Sequence, residues 1–245
     1  MTRSPRRTPR PLKGVRILSL SLNLPGPAAL ARCKAMGATC IKFEPPAPRA
    51  GTGVTGDPMS AYNRSAYDDM HAGIRTRAVD LKTNAGQKLL QRELARVDVL
   101  LTSFRPSALT KLGLAWKDLH QRYPALSLVA IVGAPGELAE IAGHDLTYQA
   151  ENDLVTDLNL PPTLYADMGG ALMASEAVLQ AVLLQRQQGT GSRFEVALSD
   201  SAAFLALPRT WGATAPQSLL GGSHAGYRVY RCRDGRVALA ALEPH

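Results

Sequence analysis

Apolar positions in this chain come in short runs separated by stretches with helical spacing. Residues 15–20 form a run of strand character, and Leu24-Pro25-Gly26-Pro27 breaks it. Residues 28–36 then read as a helix, with Gly37 where a left-handed glycine commonly ends one. A second apolar run covers 40–43. Strand, helix and strand within 45 residues predict a β-α-β unit with parallel strands and a right-handed crossover. Residues 46–76 carry several Gly and Pro and little periodicity, and read as one long loop of the kind that serves function or motion.

The alternation then resumes. Residues 79–81 read as a short strand or turn, and 84–97 as a helix with Leu89, Leu90 and Leu94 on one side. A strand over 98–102, a short helix over 107–112 ended by Gly113, a helix over 116–122 and a buried-type strand over 126–132 follow. A long helix is expected from Gly169 or Gly170 to Gln188, closed by Gly189-Thr190-Gly191. Residues 194–198 read as a strand, 199–211 as helical, 216–226 as a Gly-rich linker, and 227–242 as a hairpin turning at Asp234-Gly235.

This alternation predicts an α/β fold. A Rossmann-like open parallel sheet with flanking helices should occupy 11–198, after a disordered basic tail at 1–10. A helical linker over 199–226 and a partial small domain over 227–245, the β-hairpin, complete the division. A lone hairpin is marginal in water. It is therefore expected to dock on the first domain or on a partner chain, or to belong to a shortened form of something longer.

Composition narrows the chemistry. With 245 residues, 45% of them hydrophobic, the chain can build one substantial core. No apolar run approaches the ~18 residues of a membrane span, and the opening MTRSPRRTPR lacks the apolar segment of a secretory signal. A soluble, cytoplasmic protein away from membranes is expected. The net charge of +8 owes half its value to Arg3, Arg6, Arg7 and Arg10. With only 5% aromatics there is no sign of a basic, stacking face for nucleic acid, whereas a mild positive balance suits an anionic small ligand. Cys33, Cys40 and Cys232 are odd in number and irregular in spacing. They imply neither a disulfide framework nor a zinc site, and no metal is expected.

A set of segments, in order, carries a resemblance. It runs Pro11-Leu12-Lys13-Gly14-Val15-Arg16-Ile17-Leu18, then Gly37-Ala38-Thr39-Cys40-Ile41-Lys42-Phe43-Glu44-Pro45-Pro46, then Gly56-Asp57-Pro58. Val79-Asp80-Leu81-Lys82-Thr83, Phe104-Arg105-Pro106, Leu112-Gly113-Leu114, Gly143-His144-Asp145 and Asp167-Met168-Gly169-Gly170 follow. Each alone is weak, but their order and spacing from residue 11 to 245 resemble the class III CoA-transferase (CaiB/BaiF-like) family, which includes the α-methylacyl-CoA racemases.

The resemblance implies a Rossmann-like large domain, a smaller second domain, an interlocked homodimer, and acyl-coenzyme A as substrate with no prosthetic group. In the transferase branch, the aspartate matching Asp167 is a nucleophile that forms an acyl anhydride. In the racemase branch it exchanges the α-proton instead. His144 stands where racemases carry a second acid/base, and Glu243 in Ala-Leu-Glu-Pro resembles the segment whose Glu pairs with that His. The racemase branch is therefore the first expectation, with Asp167, His144 and Glu243 catalytic. The transferase is the second and a non-catalytic CoA-binding paralogue the third. Racemisation needs two acid/base groups on opposite faces of a planar enolate, whose oxygen could take N–H donors from the start of the helix after Asp167. Arg105 becomes a CoA phosphate contact, where a guanidinium fork suits phosphate, with Lys82 and Arg75 as further candidates.

Read from their own segments alone, the same residues have plainer roles. Asp167 before Gly-Gly reads as a helix N-cap, His144 as a surface histidine, Glu243 as a solvated terminal charge and Asp145 as a loop-orienting carboxylate. The chain also departs from the family. Gly133-Ala134-Pro135-Gly136-Glu137-Leu138 replaces a Gly-Gln-x-Gly-Pro-like loop that helps enclose the thioester, and the stretch between His144 and Asp167 is shorter than usual.

Overall fold

Six strands, β1 (Arg16–Ser19), β2 (Thr39–Glu44), β3 (Arg75–Ala78), β4 (Val99–Thr102), β5 (Ser127–Val132) and β6 (Arg193–Ala197), pair in parallel in the order β3-β2-β1-β4-β5-β6. This is the Rossmann strand order, and it reverses direction between β1 and β4. The structure is a computed structural model that describes residues 9–48, 51 and 53–243. All but residues 9 and 10 of the basic tail expected at 1–10 thus lie outside the described residues.

The strands carry alternating side chains into two apolar layers. Ile17, Val99, Leu101, Val129 and Ile131 pack under Leu30 and Cys33 of α1 (Pro25–Ala35) and Ala174, Val178 and Val182 of α8 (Tyr165–Gln188). On the other face Leu18, Ile41, Phe43, Leu100 and Leu128 meet Leu90 and Leu94 of α4 (Asn84–Leu94). Leu109 of α5 (Pro106–Lys111) and Leu119 of α6 (Trp116–Arg122) complete that layer. Covering both faces is what lets β4 and β5 be buried at every position.

The structure holds elements that the sequence reading left out. The long loop at 46–76 contains α2 (Met59–Tyr62) and α3 (Arg64–His71), and β3 begins at Arg75. β3 is exposed at all four positions, Arg-Thr-Arg-Ala, so no apolar pattern could announce it; charged side chains also suit an edge strand. After β3, Val79 still donates its N–H to the Glu44 carbonyl at 2.8 Å, and a turn follows at Leu81 and Lys82. Between β5 and α8 stand a 3₁₀ turn (Gly136–Glu140) and α7 (Asp145–Glu151). The helical stretch expected over 199–211 is present as α9 (Leu198–Thr210), which packs on α8 and buries Ala202 beside Tyr148 and Ala166.

α8 is long and apolar enough to cross a bilayer by length and composition, but half of its apolar window is buried inside the protein. Its small residues explain the close fit. A Cβ on Gly170 would stand 2.3 Å from Leu198 Cδ2, so the glycine lets the Leu198 side chain at the start of α9 lie against α8, where any larger residue would have to push it aside. The predicted terminator Gly189 is left-handed, with φ of 75°. Beyond α9, β7 (Tyr227–Cys232) and β8 (Gly235–Ala240) form the predicted antiparallel hairpin, with every residue of β8 exposed.

Candidate active site

A cavity of about 540 Å³ opens beyond the C-terminal ends of β1, β4, β5 and β6, where the strand order reverses. Ligand sites in open parallel sheets gather at such a switch point, because the loops from neighbouring strands diverge there. Leu22 and Asn23 follow β1, Ser103, Phe104 and Arg105 follow β4, and Gly133 follows β5. Asp167, His144, Asp145, Tyr148 and Tyr62 complete the chemically active lining.

Asp167 lies in the first turn of α8, which begins at Tyr165 rather than at Gly169 or Gly170. It is therefore not the N-cap; that position is Leu164, whose side chain caps nothing. The cap comes from another helix. Asp145, at the first position of α7, is buried, and its Oδ1 accepts the Asp167 backbone N–H at 3.0 Å. Its Oδ2 is bonded by the Gln149 side-chain amide, which also donates to the Thr163 carbonyl at 3.3 Å. One carboxylate thus joins the N-termini of α7 and α8. Burial pushes the Asp167 carboxyl up to about 7, and the neighbouring Asp145 charge adds to the rise. A carboxyl in that range exchanges protons readily near neutral pH.

His144 is the N-cap residue of α7, exposed to the cavity, with its N–H donated to Thr147 Oγ1 at 3.1 Å. The loop after β5, whose residues 133–138 depart from the family pattern, is tied down at two points. Gly136 N–H donates to Glu195 Oε1 at 2.9 Å, and Glu140 accepts the Ser107 N–H and hydroxyl at 2.6 and 2.8 Å. Ala139, Ile141 and Gly143 of this loop line the cavity. Tyr148 packs its hydroxyl so near Gly133 and Gly143 that a Cβ would meet it at 2.1 or 2.4 Å. Asn23 takes a left-handed φ of 64°, and Tyr62 sits at the rim.

The six residues singled out from the sequence are dispersed. Asp167, His144 and Arg105 share the cavity. Lys82 lines a neighbouring cleft of about 370 Å³ with Phe43, Leu81 and Leu112, and Phe104 belongs to both. Arg75, the first residue of a parallel strand, lies with Arg16 and Lys34 at the opposite, N-terminal edge of the sheet. Glu243 is exposed after β8 and does not line the cavity. The expected N–H donors after Asp167 are also corrected: the Asp167 N–H is held by Asp145 and the Met168 N–H by the Leu164 carbonyl at 3.0 Å. Among the described residues, no cluster of three or more His, Cys, Asp or Glu side chains is placed to hold a metal.

Asn23, Tyr62 and Tyr148 were not legible as site residues. Asn23 before a Leu-Pro-Gly-Pro break offered a faint signal, since Asn tolerates the left-handed region that such a break needs.

Strand order and site together define a Rossmann-type α/β protein with an acid/base cavity at its switch point. The chain belongs to CoA-transferase family III, whose sequence profile matches residues 12–245. Members of this family are enzymes acting on CoA thioesters. The chain is 33% identical over 202 residues to a succinyl-CoA–D-citramalate CoA-transferase of Chloroflexus aurantiacus, covering 77% of this chain and 48% of that one. It is 30% identical over 251 residues to an alpha-methylacyl-CoA racemase of Mus musculus, covering 95% of this chain and 62% of that one. Among solved structures, the hypothetical protein Rv3272 of Mycobacterium tuberculosis superposes with a TM-score of 0.78 at 26% identity, over 97% of this chain and 67% of that one. A CaiB/BaiF family protein of Brucella suis gives 0.77 at 25% identity, over 95% of this chain and 66% of that one. The chain thus spans about half to under two-thirds of the length of these curated relatives.

Proposed function

We propose that this protein transfers a proton at the α-carbon of a 2-methylacyl-CoA, interconverting its two configurations. The observation that carries this reading is the Asp167 carboxyl, raised to about 7 and sharing a cavity with His144. In the proposed step, the Asp167 carboxylate takes the α-proton and the electron pair moves onto the thioester oxygen as an enolate. His144, charged, returns a proton to the opposite face and is left neutral; the reverse direction exchanges the roles. The two groups need pKa values near working pH, which Asp167 meets through burial.

Arg105 at the mouth and Lys82 in the adjoining cleft supply positive charge for the phosphates of the CoA portion, while Phe104 offers an apolar surface between them. An interlocked homodimer is part of the proposal. It is supported by the exposed hairpin, since a two-stranded ribbon is marginal alone and gains stability by docking. Free Cys33, Cys40 and Cys232 favour a cytoplasmic setting.

A second reading is CoA transfer through an Asp167 acyl anhydride. It is favoured by one observation: Glu243, the third member of the racemase set, is absent from the cavity lining, and a nucleophilic carboxylate needs no such partner. One experiment separates the two. The protein is incubated with a panel of acyl-CoA thioesters and free acids in deuterated water and read by mass spectrometry. Deuterium at the α-carbon supports proton transfer. CoA moved between acids, with Asp167 trapped by hydroxylamine, supports the transferase. Neither, from folded protein, rejects both.

A further inference from the structure

Beside the cavity lies a charged cluster that the proposed chemistry does not use. Lys42 of β2 is fully buried, and so is its ion-pair partner Asp57. The ammonium also lies 3.4 Å from Glu44 Oε2 and 2.9 Å from His71 Nε2. His71 Nδ1 is 2.6 Å from the Tyr67 carbonyl oxygen, which can only accept. The proton therefore sits on Nδ1, and Nε2 is left to accept from Lys42. Glu44 in turn accepts the Tyr67 hydroxyl at 3.1 Å. The ammonium thus hydrogen-bonds Asp57 and His71 and pairs by charge with Glu44.

The other carboxylate oxygen of Asp57 faces the cavity wall. Oδ1 accepts the Asn23 N–H and the Met59 N–H, each at 3.0 Å. Asn23 is the left-handed residue after β1, in a conformation that asparagine tolerates better than most L residues. Met59 opens α2, whose last residue, Tyr62, lines the same cavity as Asn23 and Asp167. Two separate pieces of wall are fastened to one oxygen. A buried ion pair is a weak way to gain stability, since a well-packed apolar pair often serves as well. It is a good way to hold one carboxylate turned so that two backbone donors from different segments meet it.

We propose that Lys42, acting through Asp57, is a positioning residue for the acyl-CoA cavity, holding the Asn23 loop and the Tyr62 helix against the side that carries Asp167. That this cavity takes an acyl-CoA rests on the function proposed above; the holding of its wall does not.

The test reads the wall without substrate. In the full chain labelled with carboxyl-¹³C aspartate, the Asp167 resonance is assigned with Asp167→Asn and titrated by NMR in three proteins: the unaltered chain, Lys42→Met, and Lys42→Met/Asp57→Leu, which removes the acceptor of the Asn23 and Met59 N–H groups. The titratable groups around Asp167 are Asp145 and Tyr148 of α7, His144 at its cap, Tyr62 of α2 and Arg105, and none is changed. A loosened wall admits water, so Asp167 should titrate lower by about one pH unit in both variants. kcat/KM for acyl-CoA should fall about tenfold or more, with the circular dichroism of the fold retained. Loss of the Lys42 charge by itself would move Asp167 upward in Lys42→Met and leave the charge-balanced double variant unchanged. That pattern, or an unchanged titration in the double variant, overturns the proposal. Should Lys42→Met fail to fold because it leaves Asp57 and Glu44 uncompensated, the double variant decides. If the unaltered chain acts on no acyl-CoA, the functional reading fails alone, because the titration is read on the free protein.

Discussion

The Asp145 carboxylate and the Asp167 backbone N–H, 3.0 Å apart, tie the first turns of two helices together at the cavity. The same contact places a buried negative charge beside the Asp167 carboxyl and raises its pKa. Burial is the larger cause of the raised pKa, and Asp145 adds its charge to it while also fixing the position of the helix turn that carries Asp167. Asp145→Asn keeps the acceptor and removes the charge. The acid limb of the pH–rate profile should move down by about half a pH unit or more, with smaller loss of kcat than in Asp145→Ala. Asp145→Ala loses the cap as well and should cost about 1–3 kcal/mol of stability by chemical denaturation.

Asp167→Asn should abolish proton exchange and CoA transfer alike, with a fall in kcat of about a thousandfold or more. It should also stabilise the protein at alkaline pH. The sign follows from the raised pKa: the native state holds a proton on Asp167 where the unfolded chain, titrating near 4, has lost it. The associated stability is present below about pH 4 and is lost as pH rises through about 7. The Asn variant should thus be more stable than the unaltered chain at pH 8, by about 2 kcal/mol after allowance for partial exposure. Thermal melts at pH 4 and pH 8 check it: the gain belongs to pH 8.

Arg105 stands at the cavity mouth, exposed, where a phosphate would meet it before the thioester enters. Arg105→Ala should weaken CoA binding about tenfold in titration calorimetry, an effect that shrinks as salt is added. Arg105→Lys should recover only part, because the ammonium lacks the two-pronged geometry. Arg75→Ala, on the far edge of the sheet, should leave CoA binding unchanged.

Tyr148 and two glycines give a steric prediction. A Cβ at Gly133 would meet chiefly the Tyr148 hydroxyl, at 2.1 Å, with the ring carbon behind it at 3.0 Å. At Gly143 the ring itself is close, with Cζ at 2.7 Å and Cε1 at 2.8 Å. Each Gly→Ala change should destabilise by about 1–3 kcal/mol through overpacking. Tyr148→Phe should restore much of the loss in Gly133→Ala and little in Gly143→Ala. A double-mutant cycle in urea measures both.

How much of this was legible beforehand differs from element to element. Buried strands announce themselves by continuous apolar runs, and β1, β2, β4 and β5 were placed from Ile17, Ile41, Leu100 and Val129 and their neighbours. β3 was not, because Arg75-Thr76-Arg77-Ala78 buries nothing and owes its existence to pairing with β2. The start of α8 was misplaced because its capping oxygen comes from Asp145, 22 positions away. Local cap signals cannot show an acceptor supplied by another helix.

The sequence by itself determined the alternation of strands and helices, the hairpin at Asp234-Gly235, the family, and the candidacy of Asp167, His144 and Arg105. Those depend on local periodicity, turn chemistry and ordered motifs, which are written along the chain. Only the tertiary structure decided which candidates meet. It set Arg75 on the far edge of the sheet, left Glu243 outside the cavity, and brought Asn23, Tyr62 and Tyr148 to its wall. It also gave Asp167 its raised pKa, since burial and the charge of Asp145 are properties of packing between α7 and α8 and exist nowhere in the linear order.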